Sequence, residues 1–199
     1  MGNIGIIGRA RTGKDTAGQW LVDHRGYRRV AFADPLKEAA LKLNPIVEVI
    51  VGSDYGHDEY RLSDVVGEYG WERAKGIGDT RRILQELGAA VRTIDEDFWL
   101  RAAMTKVQAA NEDGVPVVIT DVRYPNEAES LRRAGFHLVY IERPDVEQLV
   151  HESEGALGPE DADHLIINNE SVANLQHRIA TIAERIYAIE SRRHFARSL

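Results

Sequence analysis

The 199-residue chain contains no cysteine. This absence excludes a disulfide framework, a thiolate nucleophile and a zinc site built on cysteine. No run of residues is long and apolar enough to cross a bilayer, and the N-terminus leads directly into a predicted strand instead of a signal peptide. We therefore expect a cytoplasmic protein with no membrane partner.

Negative charge exceeds positive charge. The chain has 25 Lys and Arg against 32 Asp and Glu, which gives a formal net charge of −7. This balance argues against a surface that binds nucleic acid, so any phosphate binding should be local and should favour a small phosphorylated ligand. The length fits one α/β domain with a full core, and we predict a single domain over residues 1–199.

The first strand and the turn after it carry the clearest pattern in the chain. An apolar run ends at Gly8, four residues intervene, and Gly13 and Lys14 open a helical pattern. This combination is typical of a phosphate-binding loop, in which backbone N–H groups and the helix N-terminus hold the anion. Lys14 would then reach the β- and γ-phosphates. The alternative is a glycine-rich strand-to-helix turn with an ordinary surface lysine.

One residue departs from the commonest form of this loop. Asp15 stands where many GTPases and ATPases have the Ser or Thr that touches Mg²⁺, and Thr16 follows it. The Asp15 carboxylate would face the metal or the attacking group, or it would cap the helix. The sequence leaves both roles open.

Strand and helix patterns alternate along the rest of the chain. We predict further strands at 28–33, 117–121, 137–143 and 165–169, and therefore an α/β fold with a doubly wound, five-stranded parallel sheet. The glycine-rich segment 44–78 is interpreted as partly helical and mobile. The apolar stripe of the last helix covers the sheet or supports a dimer, and the basic tail 192–199 is expected to fray.

Polar residues at predicted strand ends are candidates for ligand contacts. Asp121 closes a fully apolar strand, and an acid at this position commonly orients Mg²⁺ or its water shell. After the second strand, Asp34 is predicted to cap a helix, and Lys37 is a candidate contact for a second phosphate group. Trp99 is by default a core residue, with packing against a base or deoxyribose as the alternative.

Several short motifs, in this order and spacing, resemble the deoxynucleoside monophosphate kinases of tailed bacteriophages over nearly the whole chain. The motifs are GRARTGKDT at 8–16, FADPLKEA at 32–39, RRILQELGAAV at 81–91, DFWL at 97–100, ITDVRYPNEAE at 119–129, IERP at 141–144, HESE at 151–154 and DHLIINN at 163–169.

The resemblance implies a fold of the P-loop kinase type and ATP as the donor, with its phosphates held by Gly8 to Thr16. That stretch includes Arg9, Arg11, Thr12, Gly13, Lys14 and Asp15. It also implies Mg²⁺ met by Asp15 and Asp121, directly or through water, and a homodimer. Residues 145–162 would form a lid over ATP that carries His151, Ser153 and Glu154. Residues 44–112 would form a helical substrate-binding insertion.

On the acceptor side, the resemblance implies contacts with a (deoxy)nucleoside monophosphate. The matching residues are Lys37, Arg82, Gly88, Trp99, Asp121, Arg123 and Glu127, and we place Asp34 and Gln85 with them. Ala89 replaces the threonine of a Gly-Thr pair in the family, which points to a different base preference. The catalytic set would be Lys14, Asp15, Arg82, Asp121 and Arg123.

The implied reaction moves the γ-phosphoryl group of Mg·ATP to the monophosphate and yields a diphosphate. Arg82 and Arg123 suit the acceptor phosphate because the planar guanidinium makes bidentate contacts. The alternative for each of them is a surface ion pair. Two alternatives are another small-molecule kinase, of the dephospho-coenzyme A or phosphomevalonate type, and a regulatory P-loop ATPase. The sequence has no NKxD guanine motif, which argues against a GTPase switch.

Overall fold

A computed structural model describes residues 2–51, 56–144 and 156–197. The chain divides into two compact units, one formed by Met1–Phe32 with Ala103–Leu199 and the other by Ala33–Ala102. The strands and helices are, in chain order, β1 (Ile4–Ile7), α1 (Lys14–Arg25), β2 (Arg28–Val30), α2 (Ala33–Leu43), β3 (Ile46–Val51), β4 (His57–Arg61), α3 (Leu62–Ala74), α4 (Thr80–Ile94), α5 (Phe98–Glu112), β5 (Val117–Val122), α6 (Pro125–Arg133), β6 (His137–Glu142), β7 (His164–Ile167) and α7 (Val172–Arg197).

The first unit is built on a five-stranded sheet in the order β2-β5-β1-β6-β7, and every strand pair is parallel. Helices cover both of its faces. Ile4 and Ile6 of β1 share a buried cluster with residues of α1 and α7. Gly5, between them, faces the other way, where a Cβ would lie 3.0 Å from Leu131 of α6. This arrangement confirms the predicted doubly wound parallel sheet.

The central strands are buried on both faces, as their continuous apolar runs indicate. All four residues of β1 are buried, as are the first five of β6 and all of β5 except Asp121. The edge strands β2 and β7 are partly exposed. The last helix, α7, buries the stripe Leu175, Ile179, Ile182 and Ile186 in this core, so at these positions it covers the sheet.

The second unit has its own core. Ala40, Val47, Leu62, Val65 and Leu84 are buried there. Strands β3 and β4 form a separate antiparallel hairpin in this unit. The sequence interpretation of 44–78 as partly helical omitted this hairpin. The proposed insertion at 44–112 stays a prediction, and the compact unit has the bounds Ala33 and Ala102.

Two further boundaries differ from the sequence predictions. Strand β2 ends at Val30, and α2 already begins at Ala33, so Asp34 lies in its first turn instead of preceding it. Helix α7 continues to Arg197 through most of the segment expected to fray. Among the described residues, no helix is long and apolar enough to cross a membrane.

Candidate active site

The turn between β1 and α1 is a tight loop whose backbone conformation requires glycine at two positions. Gly8 has φ +148°, and a Cβ there would lie 2.4 Å from the carbonyl oxygen of Ile141. Gly13 has φ +101°, and a Cβ there would lie 2.8 Å from the amide nitrogen of the Asn168 side chain. Backbone at these angles strains any residue with a side chain. Between the two glycines, Arg11 also adopts a positive φ of 63°.

Hydrogen bonds inside the loop close it on itself. The carbonyl oxygen of Arg9 accepts from Thr12 Oγ1 at 2.9 Å and from Lys14 Nζ at 2.5 Å. The carbonyl oxygen of Thr12 accepts from Asn168 Nδ2 at 2.8 Å. Thr12 and Asn168 are both buried, at 3% and 8% exposure. The Thr12 side chain is therefore turned inward, where it shapes the loop.

Helix α1 begins directly after the loop, at Lys14. Its N-cap residue is Gly13, which offers no side-chain acceptor to the first N–H groups of the helix. A helix end of this kind presents unpaired N–H groups and a partial positive charge, which suits an anion such as phosphate. The loop geometry thus fits the phosphates of a nucleotide.

Asp15 lies in the first turn of α1 but is hydrogen bonded away from the helix. Its Oδ1 accepts from Thr120 Oγ1 at 2.9 Å and from Arg29 Nη2 at 3.2 Å. Within the described residues, Oδ2 has no hydrogen-bond partner. Of the two roles left open by the sequence, the capping role receives no support from these contacts. Thr16, the next residue, is exposed.

Three predicted site residues, Asp121, Arg123 and Glu127, lie at the carboxyl end of β5 and in the first turn of α6. Asp121 Oδ1 accepts from the backbone N–H of Phe32 at 3.0 Å, which ties this strand end to the short link between β2 and α2. The buried carboxylate of Glu127 accepts from the backbone N–H groups of Arg123 and Tyr124 at 2.8 and 3.1 Å. Glu127 therefore caps α6, and its proposed contact with the acceptor stays a prediction.

Arg123 differs from the other predicted arginine. Its side chain is exposed, and its guanidinium has no hydrogen-bond or ion-pair partner among the described residues. Arg82, on α4 of the second unit, instead pairs with Asp79 at 2.6 Å and Glu86 at 2.9 Å. The hydrogen bond from Arg82 lowers the pKa of the Asp79 carboxyl. The hydrogen bond to Asp79, and to a smaller extent the one to Glu86, raises the pKa of Arg82. Arg82 thus forms the surface ion pairs that the sequence left as its alternative role.

The remaining predicted acceptor-side residues belong to the second unit, and their surroundings differ. Trp99 is 5% exposed, and its Nε1 donates to the carbonyl oxygen of Gly88 at 3.2 Å, in keeping with its default role as a core residue. Lys37 Nζ lies 5.6 Å from the centre of the Trp71 ring. Gln85 and Ala89 are exposed on α4, and Asp34 is half-buried. His151, Ser153 and Glu154 lie outside the described residues, as does most of the proposed lid.

No group of three or more His, Cys, Asp or Glu side chains that could hold a metal ion occurs in the described part of the chain. This is compatible with Mg²⁺ in a kinase, because Mg²⁺ is bound by one or two carboxylates together with substrate phosphates and water. In the first unit, the carboxylates of Asp15 and Asp121 at the sheet edge fit such a role.

Three residues that shape this site were missed by sequence reasoning. Arg29 and Thr120 hold Asp15, and Asn168 holds the phosphate loop. Thr120 and Asn168 belong to motifs already noted, and each is the second-last residue of its predicted strand, 117–121 or 165–169. A search of every polar residue at a strand end would have found them, whereas Arg29 lies within β2 and carries no such mark.

Comparison with known proteins places these features in context. The sequence profile of the family described as deoxynucleotide monophosphate kinase matches residues 79–179, slightly more than half of the chain. The chain is 29% identical over 192 residues to the "Putative deoxynucleotide monophosphate kinase" of Acanthamoeba polyphaga mimivirus, covering 91% of this chain and 95% of the relative. It is 30% identical over 118 residues to the deoxynucleotide monophosphate kinase of Escherichia phage RB69, a match that covers 56% of this chain and 48% of the relative.

Among solved structures, the dephospho-CoA kinase from Campylobacter jejuni matches 93% of this chain and 97% of its own, with 13% identity and a TM-score of 0.48. Because that score is too low to establish a shared fold, the fold assignment rests on the strand order and on the loop.

Proposed function

Because the chain belongs to the deoxynucleotide monophosphate kinase family, we propose that it transfers the γ-phosphoryl group of Mg·ATP to a deoxynucleoside monophosphate. Family membership implies ATP-dependent phosphoryl transfer. The observation that supports the donor site is the loop from Gly8 to Lys14. It combines two positive-φ glycines, a helix that begins without a side-chain cap, and a lysine as the first residue of that helix.

Phosphoryl transfer depends mainly on alignment and charge neutralisation, since its transition state spreads charge over the oxygens of the transferred group. The acceptor phosphate oxygen is already anionic, so the protein does not need a nucleophile. Mg²⁺, when bound, would supply positive charge that offsets the negative charge of the donor phosphates. In our proposal the backbone N–H groups of the loop and Lys14 hold those phosphates, and Asp15 and Asp121 orient the cation or its water.

On the acceptor side, we assign Arg123 to the acceptor phosphate. Its main-chain N–H is held by the buried Glu127, while its guanidinium is exposed and has no described partner. The backbone there is fixed and the side chain is available to a dianion. Arg82 remains a proposed contact of the acceptor phosphate, and to bind it Arg82 would exchange one of its carboxylate partners, Asp79 or Glu86, for the phosphate. Lys37, Gln85 and Trp99 remain proposed neighbours of the nucleoside.

The experiment that tests this function is a coupled ADP-release assay with Mg·ATP. The acceptors are dTMP, dGMP, dCMP, dAMP and their ribose forms, which also measures the base preference left open by Ala89. Lys14→Ala is the inactive variant. Lys42→Ala is its matched control, because Lys42 is an exposed lysine on α2 with no described partner.

We expect turnover with at least one deoxynucleotide, loss of that turnover in Lys14→Ala and unchanged turnover in Lys42→Ala. If a folded protein that binds ATP released no ADP with any of these acceptors, the monophosphate kinase proposal would be overturned. Such a result would redirect attention to dephospho-coenzyme A or phosphomevalonate as acceptor, or to a regulatory ATPase.

A further inference from the structure

Arg29 is a basic residue on the edge strand β2 that the proposed mechanism does not yet use. Its Nη2 lies 3.2 Å from Asp15 Oδ1 and 3.4 Å from Thr120 Oγ1. Thr120 Oγ1 itself donates to the same Asp15 oxygen at 2.9 Å. Three side chains from β2, α1 and β5 therefore meet at one carboxylate oxygen.

The sheet register accounts for this meeting. Strand β2 pairs in parallel with β5, with Arg28 beside Val117 and Arg29 beside Val118. Successive side chains of a strand point to opposite faces. Arg28 accordingly pairs with Asp113, which follows α5, and Arg29 reaches Thr120 and the first turn of α1 on the other face.

Thr120 is a rigid part of this arrangement. It is 2% exposed, and a Cβ on Gly18 of α1 would lie 2.3 Å from its methyl carbon. Helix and strand are thus in close contact at this point, and the hydroxyl group of Thr120 has a fixed position. The side chain of Arg29, in contrast, is 47% exposed.

Both hydrogen bonds to Asp15 use Oδ1, and this has a consequence for the other oxygen. A carboxylate held through one oxygen by two donors has a defined rotamer, and its second oxygen is then presented in a fixed direction. Oδ2 of Asp15 has no partner within the described ranges 2–51, 56–144 and 156–197. It is the oxygen available to a cation, to a cation-bound water or to the acceptor.

We infer that Arg29 is a positioning residue for phosphoryl transfer: together with Thr120 it holds Asp15 so that Oδ2 faces the reacting groups. The inference rests on the proposed function, which assigns Asp15 to the donor–acceptor junction. Arg29 also offsets the negative charge that Asp15 brings next to bound phosphates. It does not contact the substrates in this assignment and acts through Asp15 alone.

Arg28 provides a matched control because the two arginines are adjacent on one strand. Arg28 is 48% exposed and lies 3.2 Å from its aspartate, Asp113, as Arg29 lies 3.2 Å from Asp15. Replacing either arginine with alanine removes one exposed ion pair of equal length. Such pairs contribute little to stability, so both variants should fold. Only the Arg29 variant alters Asp15.

The test measures kcat and KM for Arg29→Ala, Arg29→Lys and Arg28→Ala, with the best acceptor from the panel and Mg·ATP. We expect Arg29→Ala to lower kcat about 10- to 100-fold, a loss typical of misplaced positioning groups, with KM for ATP little changed. Arg28→Ala should match the wild type. Arg29→Lys should recover part of the loss because it restores the charge without the planar fork.

A double-mutant cycle with Asp15→Asn separates action through Asp15 from a direct role. If Arg29 acts through Asp15, Arg29→Ala causes no further loss in the Asp15→Asn background. An independent, multiplicative loss there would overturn the inference, as would equal kcat values for Arg29→Ala and Arg28→Ala in the wild-type background.

A binding measurement keeps this inference distinct from the proposed function. Calorimetry of ATP with and without Mg²⁺ should show that Arg29→Ala reduces the gain in affinity from Mg²⁺, while Arg28→Ala preserves it. If the wild type turns over no acceptor, the kinase proposal fails, and the calorimetric comparison still decides the role of Arg29. Equal Mg²⁺ gains in the two variants would then refute it.

Discussion

Replacement of Asn168 by alanine should damage the phosphate loop from behind. Asn168 follows β7, its backbone N–H donates to the carbonyl oxygen of Glu142 at 2.7 Å, and its side-chain Nδ2 donates to the carbonyl oxygen of Thr12 at 2.8 Å. The alanine variant keeps the first bond and loses the second. It leaves the Thr12 carbonyl without its donor, next to the positive-φ residue Gly13.

The magnitude follows from burial. A typical intramolecular hydrogen bond contributes about 1 kcal/mol net, and a buried acceptor left unsatisfied costs about 1–3 kcal/mol. Asn168 is 8% exposed, so water has little access to the vacated position. We therefore expect the free energy of unfolding to fall by about 2 kcal/mol. We also expect weaker ATP binding, since the loop backbone is no longer held in its anion-binding shape.

Urea unfolding and calorimetric titration with Mg·ATP measure the two effects separately. The control is Asn169→Ala, which removes the same side chain from the next, exposed position and should change stability by less than about 0.5 kcal/mol. Asn168→Asp is a second informative variant. It retains the size of the side chain but replaces the donor with an acceptor that faces the Thr12 carbonyl, so it should destabilise at least as much as alanine at neutral pH.

Unchanged stability of Asn168→Ala would refute the hydrogen-bond argument. A loss of about 2 kcal/mol in stability with unchanged ATP affinity would refute the second step. In that case Asn168 would support the core and have no influence on the shape of the loop.

Two further predictions concern the surroundings of the loop. Gly18→Ala should lower the free energy of unfolding by about 1–3 kcal/mol, because the new Cβ would lie 2.3 Å from the Thr120 methyl carbon. Gly67→Ala should raise it by up to about 1 kcal/mol, because a Cβ there meets nothing within 4 Å. Urea unfolding measures both changes, and a change of the same sign in the two variants would contradict this prediction. Burial, with smaller contributions from His137 and Arg185, lowers the pKa of His164. The unfolded state therefore binds more protons than the folded state just below pH about 6.5, so the free energy of unfolding should fall as the pH is lowered from about 7.5 to about 5.5. It should fall less in His164→Gln, and an equal fall in the two proteins would refute the role given to His164.

Much of the first unit could be predicted from the sequence because its elements follow local rules. The apolar runs of β1, β5 and β6 are continuous, as expected of strands buried on both faces, and Gly8, Gly13 and Lys14 mark the turn between β1 and α1. Gly26, directly after α1, adopts the left-handed conformation in which glycine commonly ends a helix. Each of these inferences needs only neighbouring residues.

The hairpin of the second unit escaped prediction for a physical reason. Strand β3 is a clear β-branched run, Ile46–Val51, but its partner β4, with the sequence HDEYR, is exposed at every position. A strand with no buried face shows no apolar alternation, so hydrophobic periodicity cannot detect it. Its pairing depends on β3, and the glycines nearby favoured the interpretation of 44–78 as a partly helical, mobile segment.

The groups that hold the loop and Asp15 were missed because they are distant in sequence. The loop follows β1, and the strand order puts β5 on one side of β1 and β6 then β7 on the other. Thr120 of β5 donates to Asp15, and Asn168 after β7 donates to the Thr12 carbonyl, so support arrives from both directions. Neither contact is visible without the strand order.

This two-sided support bears on phosphate binding in a chain whose acidic residues outnumber its basic ones. A flexible loop would pay the entropy of ordering when the nucleotide binds, whereas a loop already held in shape does not. Here Thr12 and Asn168 fix the loop backbone, and Thr120 with Arg29 fixes the first acid of α1. Backbone N–H groups with set directions can then hold an anion without additional lysines. The requirement for catalysis moves from the number of charges to the accuracy of their placement, and side chains outside the motif provide that accuracy.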